Sequence, residues 1–156
     1  MFEGEAIEVR YRAGLRDTAG NPAHAATYLR IRLIVLDRAL LRQRQEHRRI
    51  LLHELFHFVW VRLGNPRRLA WECLLREEWR RGARGEAGWS AEWRRRELSA
   101  RDVAGRTRRW REYCCESFCD TAASIHAGET AENTLAARWR AGREGWFRED
   151  SGRYRI

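Results

Sequence analysis

His53, Glu54 and His57 form the pattern H-E-x-x-H inside the stretch RILLHELFHFVWVRL, Arg49 to Leu63. On a helix, residues four apart lie one above the other on one face, with Cβ atoms about 5–6 Å apart, so two imidazoles can converge on one ion. Glu54 is rotated about a quarter turn from His53. It lies beside such an ion, where a carboxylate can deprotonate a metal-activated water without being a ligand. The neighbours Ile50, Leu51, Leu52, Leu55, Phe56, Phe58, Val59, Trp60 and Leu63 are apolar on every side, which marks a helix buried all round. Polar side chains there need partners, because an unpaired buried polar group costs roughly 2–7 kcal/mol. Metal ligation supplies them.

Two histidines do not complete a zinc site. Further donors are available in His24, His47, His126, the four cysteines and the acidic residues of later segments. In REYCCESFCDTAA, Glu116 and Asp120 are four apart and share a helix face. Trp110, Tyr113, Cys114, Phe118, Ala122, Ala123 and Ile125 around them indicate a mostly packed helix, and a carboxylate pair in that setting calls for a cation. A surface pair bridged to arginine is the alternative. Cys115 and Cys119 are also four apart and can bind a metal together, although small residues packed between helices are the commoner outcome.

HELFH followed by an E-x-x-x-D helix resembles the gluzincin group of zinc metallopeptidases, thermolysin-like in arrangement and, in size, like small intracellular members of the ImmA/IrrE type. The resemblance covers Thr27 to Leu36, the motif helix and Thr107 to Ala127. It implies a zincin-like domain binding one Zn2+ through His53, His57 and Glu116. Asp120 would hydrogen-bond a ligating histidine, fixing its tautomer. The implied reaction is hydrolysis of a peptide or protein substrate, with Glu54 as general base. The implied substrate is an extended chain pairing with a sheet edge beside the motif helix, offered by Thr27 to Leu36. Tyr113, His126 and Tyr154 are candidate donors to the oxyanion or contacts to substrate. His126 as a ligand would point instead to three-histidine zincins.

The elements that must position these residues are mainly helical. Ile7 to Tyr11 alternates as a short strand, and Thr27 to Asp37 is the strongest strand pattern. Asp37 to Arg48 connects to the motif helix, starting it early or forming a short helix of its own. Gly64 suits a left-handed cap, Asn65 the next N-cap and Pro66 its first turn. Pro66 to Arg81 is predicted helical, with Leu69, Ala70, Cys73 and Leu74 facing inward. After a loop with Gly82, Gly85 and Gly88, helices are predicted from Ser90 to about Val103, from Thr107 to Ala127 with Gly128 as the stop, and from Thr130 to Ala141 before Gly142. The tail Arg143 to Ile156 shows too little periodicity to assign. The fold class is therefore α+β, a mainly helical chain with a small β-sheet packed beside the HExxH helix.

At 156 residues the chain fits one domain, 1–156. The start MFEGEAIEVRYRAG has no apolar run of signal-peptide length and no apolar stretch is long enough to span a membrane, so the expectation is a cytoplasmic protein without a membrane partner. Three cysteines crowd into Cys114 to Cys119, which argues against a disulfide framework. The net charge of +9 is the balance of 31 basic residues, all arginine, against 22 acidic ones. Helix-spaced acids such as Glu72 with Arg76 and Glu77 with Arg81 turn much of it into salt-bridged surface. A rival function remains in the middle of the chain. Trp60, Trp71, Trp79, Trp89, Trp93 and Trp110 are interleaved with arginine and could stack bases and hold phosphates of a nucleic acid. A zincin fold that keeps metal without turnover is the third reading.

Overall fold

A computed structural model describes residues 2–128, 133–149 and 154–156. Strands β1 (Phe2–Glu3), β2 (Glu8–Arg12), β3 (Ala25–Tyr28) and β4 (Leu33–Asp37) precede helices α1 (Arg44–Arg62), α2 (Asn65–Arg80), α3 (Trp89–Arg96), α4 (Ala100–Gly105), α5 (Arg108–Ala127) and α6 (Ala137–Arg148), and β5 (Tyr154–Arg155) follows. The fold is α+β and mainly helical, with a small mixed sheet. That sheet runs β2-β4-β3, with β4 parallel to β2 and antiparallel to β3. A second ladder pairs β1 with β5 in parallel. No helix among the described residues is long and apolar enough to cross a membrane.

The motif helix lies between two hydrophobic clusters. Its Ile50 and Phe58 pack with Ile34 and Leu36 of the sheet and with Leu40, flanked by Leu51 and Leu55. Its Phe56, Val59 and Trp60 pack with Trp71, Trp110, Phe118, Cys119, Ala122, Trp146 and Phe147. The all-round apolar sequence is thus divided, one stripe to the sheet and the other to α5 and its neighbours. Before it, Asp37 caps a 3-10 turn, Arg38–Arg42, by accepting the backbone N–H of Ala39.

Several sequence expectations shift. The predicted strand Thr27 to Asp37 is broken by a 3-10 turn, Leu29–Ile31, ending at Arg32 with φ 51°. It becomes an antiparallel pair in which β4 is central and β3 forms an edge. Leu33 to Leu36 therefore has no free edge for a substrate. Gly64 is not left-handed: its φ is −61° and it is the N-cap of α2, with Asn65 already helical. On α2 the buried residues are Trp71, Glu72, Leu75 and Glu78, whereas Leu69, Ala70 and Cys73 are exposed. The phase differs because the inward face carries two glutamates with arginine partners from elsewhere. Glu72 pairs with Arg106 at 2.7 Å rather than with Arg76, and Glu78 pairs with Arg143 at 2.6 Å. Glu77 does pair with Arg81, at 2.7 Å.

The Ser90 to Val103 segment is two helices, because Ser99 and Asp102 form a capping box that restarts the chain as α4. Thr130 lies outside the described residues. The final helix begins at Ala137, not near Thr130, and runs through Gly142 to Arg148. The unassigned tail carries Arg143, which is fully buried. Its guanidinium donates to Glu78, to Glu86 Oε2 at 2.6 Å and to Ser117 Oγ at 3.0 Å. Arg95 and the Tyr113 hydroxyl also donate to Glu86. Charge surrounded on all sides by donors and acceptors is how this core holds buried ions.

Candidate metal centre

Helices α1 and α5 face each other along their length, and this contact assembles the sequence-predicted residues. His53 Nε2 is 3.1 Å from Glu116 Oε2, and His57 Nε2 is 4.0 Å from the same oxygen. The imidazoles lie one turn apart with ring centroids 5.0 Å from each other. Donor atoms of His53, Glu54 and His57 fall within 4.8 Å of one another, a group that can hold a metal ion. The opposite nitrogen of His53, Nδ1, donates to Asp120 Oδ1 at 2.7 Å. That bond fixes the ring so that Nε2 faces Glu116, where a cation could replace the proton the two now share.

Asp120 is fixed from a second side. Its Oδ2 accepts the backbone N–H of Ala91 at 2.8 Å, from the first turn of α3. Gly88, the N-cap of α3, lies against the same carboxylate, where a Cβ would come 2.5 Å from Cγ. The absence of a side chain is what lets the loop close on Asp120. Glu116 has a further neighbour in Arg94, also on α3, at 3.3 Å from Oε1. Glu54 Oε2 accepts a 2.6 Å hydrogen bond from Thr27 Oγ1 on the edge strand β3. Thr27, Gly88, Ala91 and Arg94 escaped the sequence reading because each reaches the site from an element remote in the chain. Gly88 alone had a local signal, the glycine-rich loop.

His57 Nδ1 faces sulfur. Sγ of Cys115 and Sγ of Cys119 are each 3.5 Å from it, and the three residues form a second group that can hold a metal. Cys119 is buried in the core and Cys115 packs against it, the space-filling role expected of them, and both sulfurs also touch this ring.

The other candidates lie elsewhere. The Tyr113 hydroxyl is buried and donates to Glu86 at 2.5 Å, so it is directed into the Arg143 network rather than toward an oxyanion. His126 is ten residues beyond Glu116 on α5, about 15 Å along the helix, where Nε2 meets the Tyr154 hydroxyl at 3.1 Å and the ring stacks on Phe56. Neither His126 nor Tyr154 joins the His53 group; both line a separate cavity of about 520 Å3. His47 pairs with the Tyr11 hydroxyl at 2.8 Å. Among the tryptophans, Trp60, Trp71 and Trp110 are buried and only Trp89 and Trp93 are exposed, with Trp79 half-buried.

The electrostatics follow from this packing. Burial opposes a charge on His53, but Asp120, Glu116 and Glu54 outweigh it and raise its pKa well above 6.5. Burial likewise opposes charge on His57, and Cys115 and Glu116 raise it. Burial pushes Glu116 up, yet His53, His57 and Arg94 bring it down to about 2. The Cys119 hydrogen bond and His57 lower the Cys115 thiol to about 6 against burial. The site is a set of anionic donors around two basic imidazoles, the composition a cation would complete.

No family model, curated protein or solved structure matches the chain.

Proposed function

We propose that this protein is a zinc-dependent metallopeptidase of the gluzincin type, with one Zn2+ held by His53, His57 and Glu116 and with Glu54 as general base. The observation that carries the reading is the approach of Glu116 Oε2 to both Nε2 atoms, 3.1 and 4.0 Å, while Asp120 holds the far side of His53. Zinc bonds of about 2.0–2.1 Å set neighbouring donors of a tetrahedral centre about 3.3 Å apart. The two observed separations bracket that value, so the residues fit the ion.

When bound, the ion supplies Lewis acidity, acidifying a water and polarising a carbonyl. The protein supplies proton transfer and orientation. Thr27 fixes one oxygen of Glu54, leaving the other to take the proton of the attacking water and return it to the leaving amine. Because Thr27 belongs to the edge strand β3, an extended peptide added to that edge would run beside the Glu54 carboxylate. Arg94 touches Glu116 and its charge opposes protonation of that ligand. A nucleic-acid surface has less support, since only Trp89 and Trp93 of the six central tryptophans are exposed.

The deciding experiment compares wild type with Glu54→Gln on a peptide library. The substitution keeps size and hydrogen-bonding reach and removes basicity, so metal content should persist while cleavage is lost. Wild type that holds zinc, cleaves no peptide and binds single-stranded DNA or RNA with steep salt dependence would overturn the peptidase reading.

A further inference from the structure

His57 offers its two ring nitrogens to different chemistries. Nε2 is 4.0 Å from the Glu116 carboxylate, whereas Nδ1 is 3.5 Å from both Cys115 Sγ and Cys119 Sγ. The two thiols stand one turn apart on α5, Cys119 fully buried and Cys115 partly so. Nδ1 thus meets two sulfurs at one distance, an arrangement that a shared hydrogen bond or a common ion would each produce. A metal ion can serve both. With bonds of about 2.3 Å to sulfur and about 2.0–2.1 Å to nitrogen, a tetrahedral centre places nitrogen and sulfur about 3.5 Å apart. Both observed separations have that length, and the three donor atoms lie within 4.8 Å of one another.

We propose that Cys115, Cys119 and Nδ1 of His57 form a second metal site, for a soft thiophilic cation. Two sulfurs and one imidazole favour ions such as Cu+, Zn2+ or Cd2+ over oxygen-seeking ones. On binding, each thiol still protonated releases its proton to solvent and becomes an anionic ligand. The site stands on its own donors, independently of the peptidase reading.

The test uses reduced full-length protein. Protein carrying His53→Ala and Glu116→Ala is titrated with Co2+. Near-ultraviolet sulfur-to-cobalt charge transfer should saturate at one ion per chain and vanish when Cys115→Ser and Cys119→Ser are added. No charge transfer in the folded parent variant overturns the thiol site, whatever becomes of the peptidase reading.

Discussion

Gly88 rests directly against the Asp120 carboxylate, so close that a methyl group on Gly88 would stand 2.5 Å from Asp120 Cγ. Since Asp120 orients His53, Gly88→Ala should act on the metal without touching a ligand. Metal affinity is expected to fall by roughly ten- to a hundredfold, as for loss of a group that orients a ligating histidine, and Asp120→Ala should fall in the same range. Titration against a chelator buffer measures both. An unchanged dissociation constant in either variant would show that the carboxylate does not support the imidazole.

Ligand identity is tested by elemental analysis. His53→Ala, His57→Ala and Glu116→Ala should each empty the first site, because three protein ligands are the minimum for a catalytic zinc centre. Unchanged metal content in Cys115→Ser/Cys119→Ser protein carrying one of these changes would remove that residue from the ligand set.

Thr27→Val should leave zinc in place and lower kcat about tenfold, the value of one hydrogen bond to a charged group of about 1.5 kcal/mol. The reason is the 2.6 Å bond that fixes Glu54 Oε2. A variant with wild-type kcat on a cleaved peptide would assign Thr27 to the sheet alone.

The pH dependence has a definite sign. In metal-free protein the folded-state pKa of His53 is raised above its ordinary 6.5. Its protonation therefore stabilises the fold fully below the unfolded pKa, and that contribution is lost as pH rises through the raised folded value. Metal requires the deprotonated ring. Apparent zinc affinity should consequently keep rising above pH 6.5 until the folded pKa is passed. Titrations between roughly pH 6 and pH 8 test this, and an affinity that levels off at the ordinary histidine pKa would contradict it.

The stability of the core depends on an arginine that no motif marked. Arg143→Met removes the cation that Glu78 and Glu86 share, leaving two buried carboxylates with fewer partners. A loss of about 3–5 kcal/mol is expected, readable in urea unfolding. A smaller change than about 1 kcal/mol would mean that the network behaves like an exposed ion pair.

What was legible in the sequence was whatever repeats within one element. His53, Glu54 and His57 lie on one helix, and so do Glu116 and Asp120, so spacing alone put each set on a face. The approach of α1 to α5 was implied only by the resemblance, because spacing within one element says nothing of which helix it meets. Contacts between remote elements left no periodic trace. Thr27 looked like one residue of an ordinary strand, and Arg94 like one of many surface arginines. Glu72 and Glu78 misled the inward face of α2 because hydropathy assigns charge to solvent, and their partners Arg106 and Arg143 lie far along the chain. Ser99 was passed over because the longer apolar pattern around it concealed a helix restart.

The position of α1 between two hydrophobic clusters sets it apart kinetically from α3. Amide hydrogens of α1 should exchange with solvent only when both clusters come apart, at the rate of global unfolding. Helix α3 has eight residues and buries one of them, Ala91, so it can detach as a smaller unit. Its detachment would free Asp120 of the Ala91 N–H and Glu116 of Arg94 while the two histidines stay in register on their helix. Slow exchange in α1 beside fast exchange in α3, with metal slowing α3 most, would mark the site as a rigid half and a half that anneals on loading.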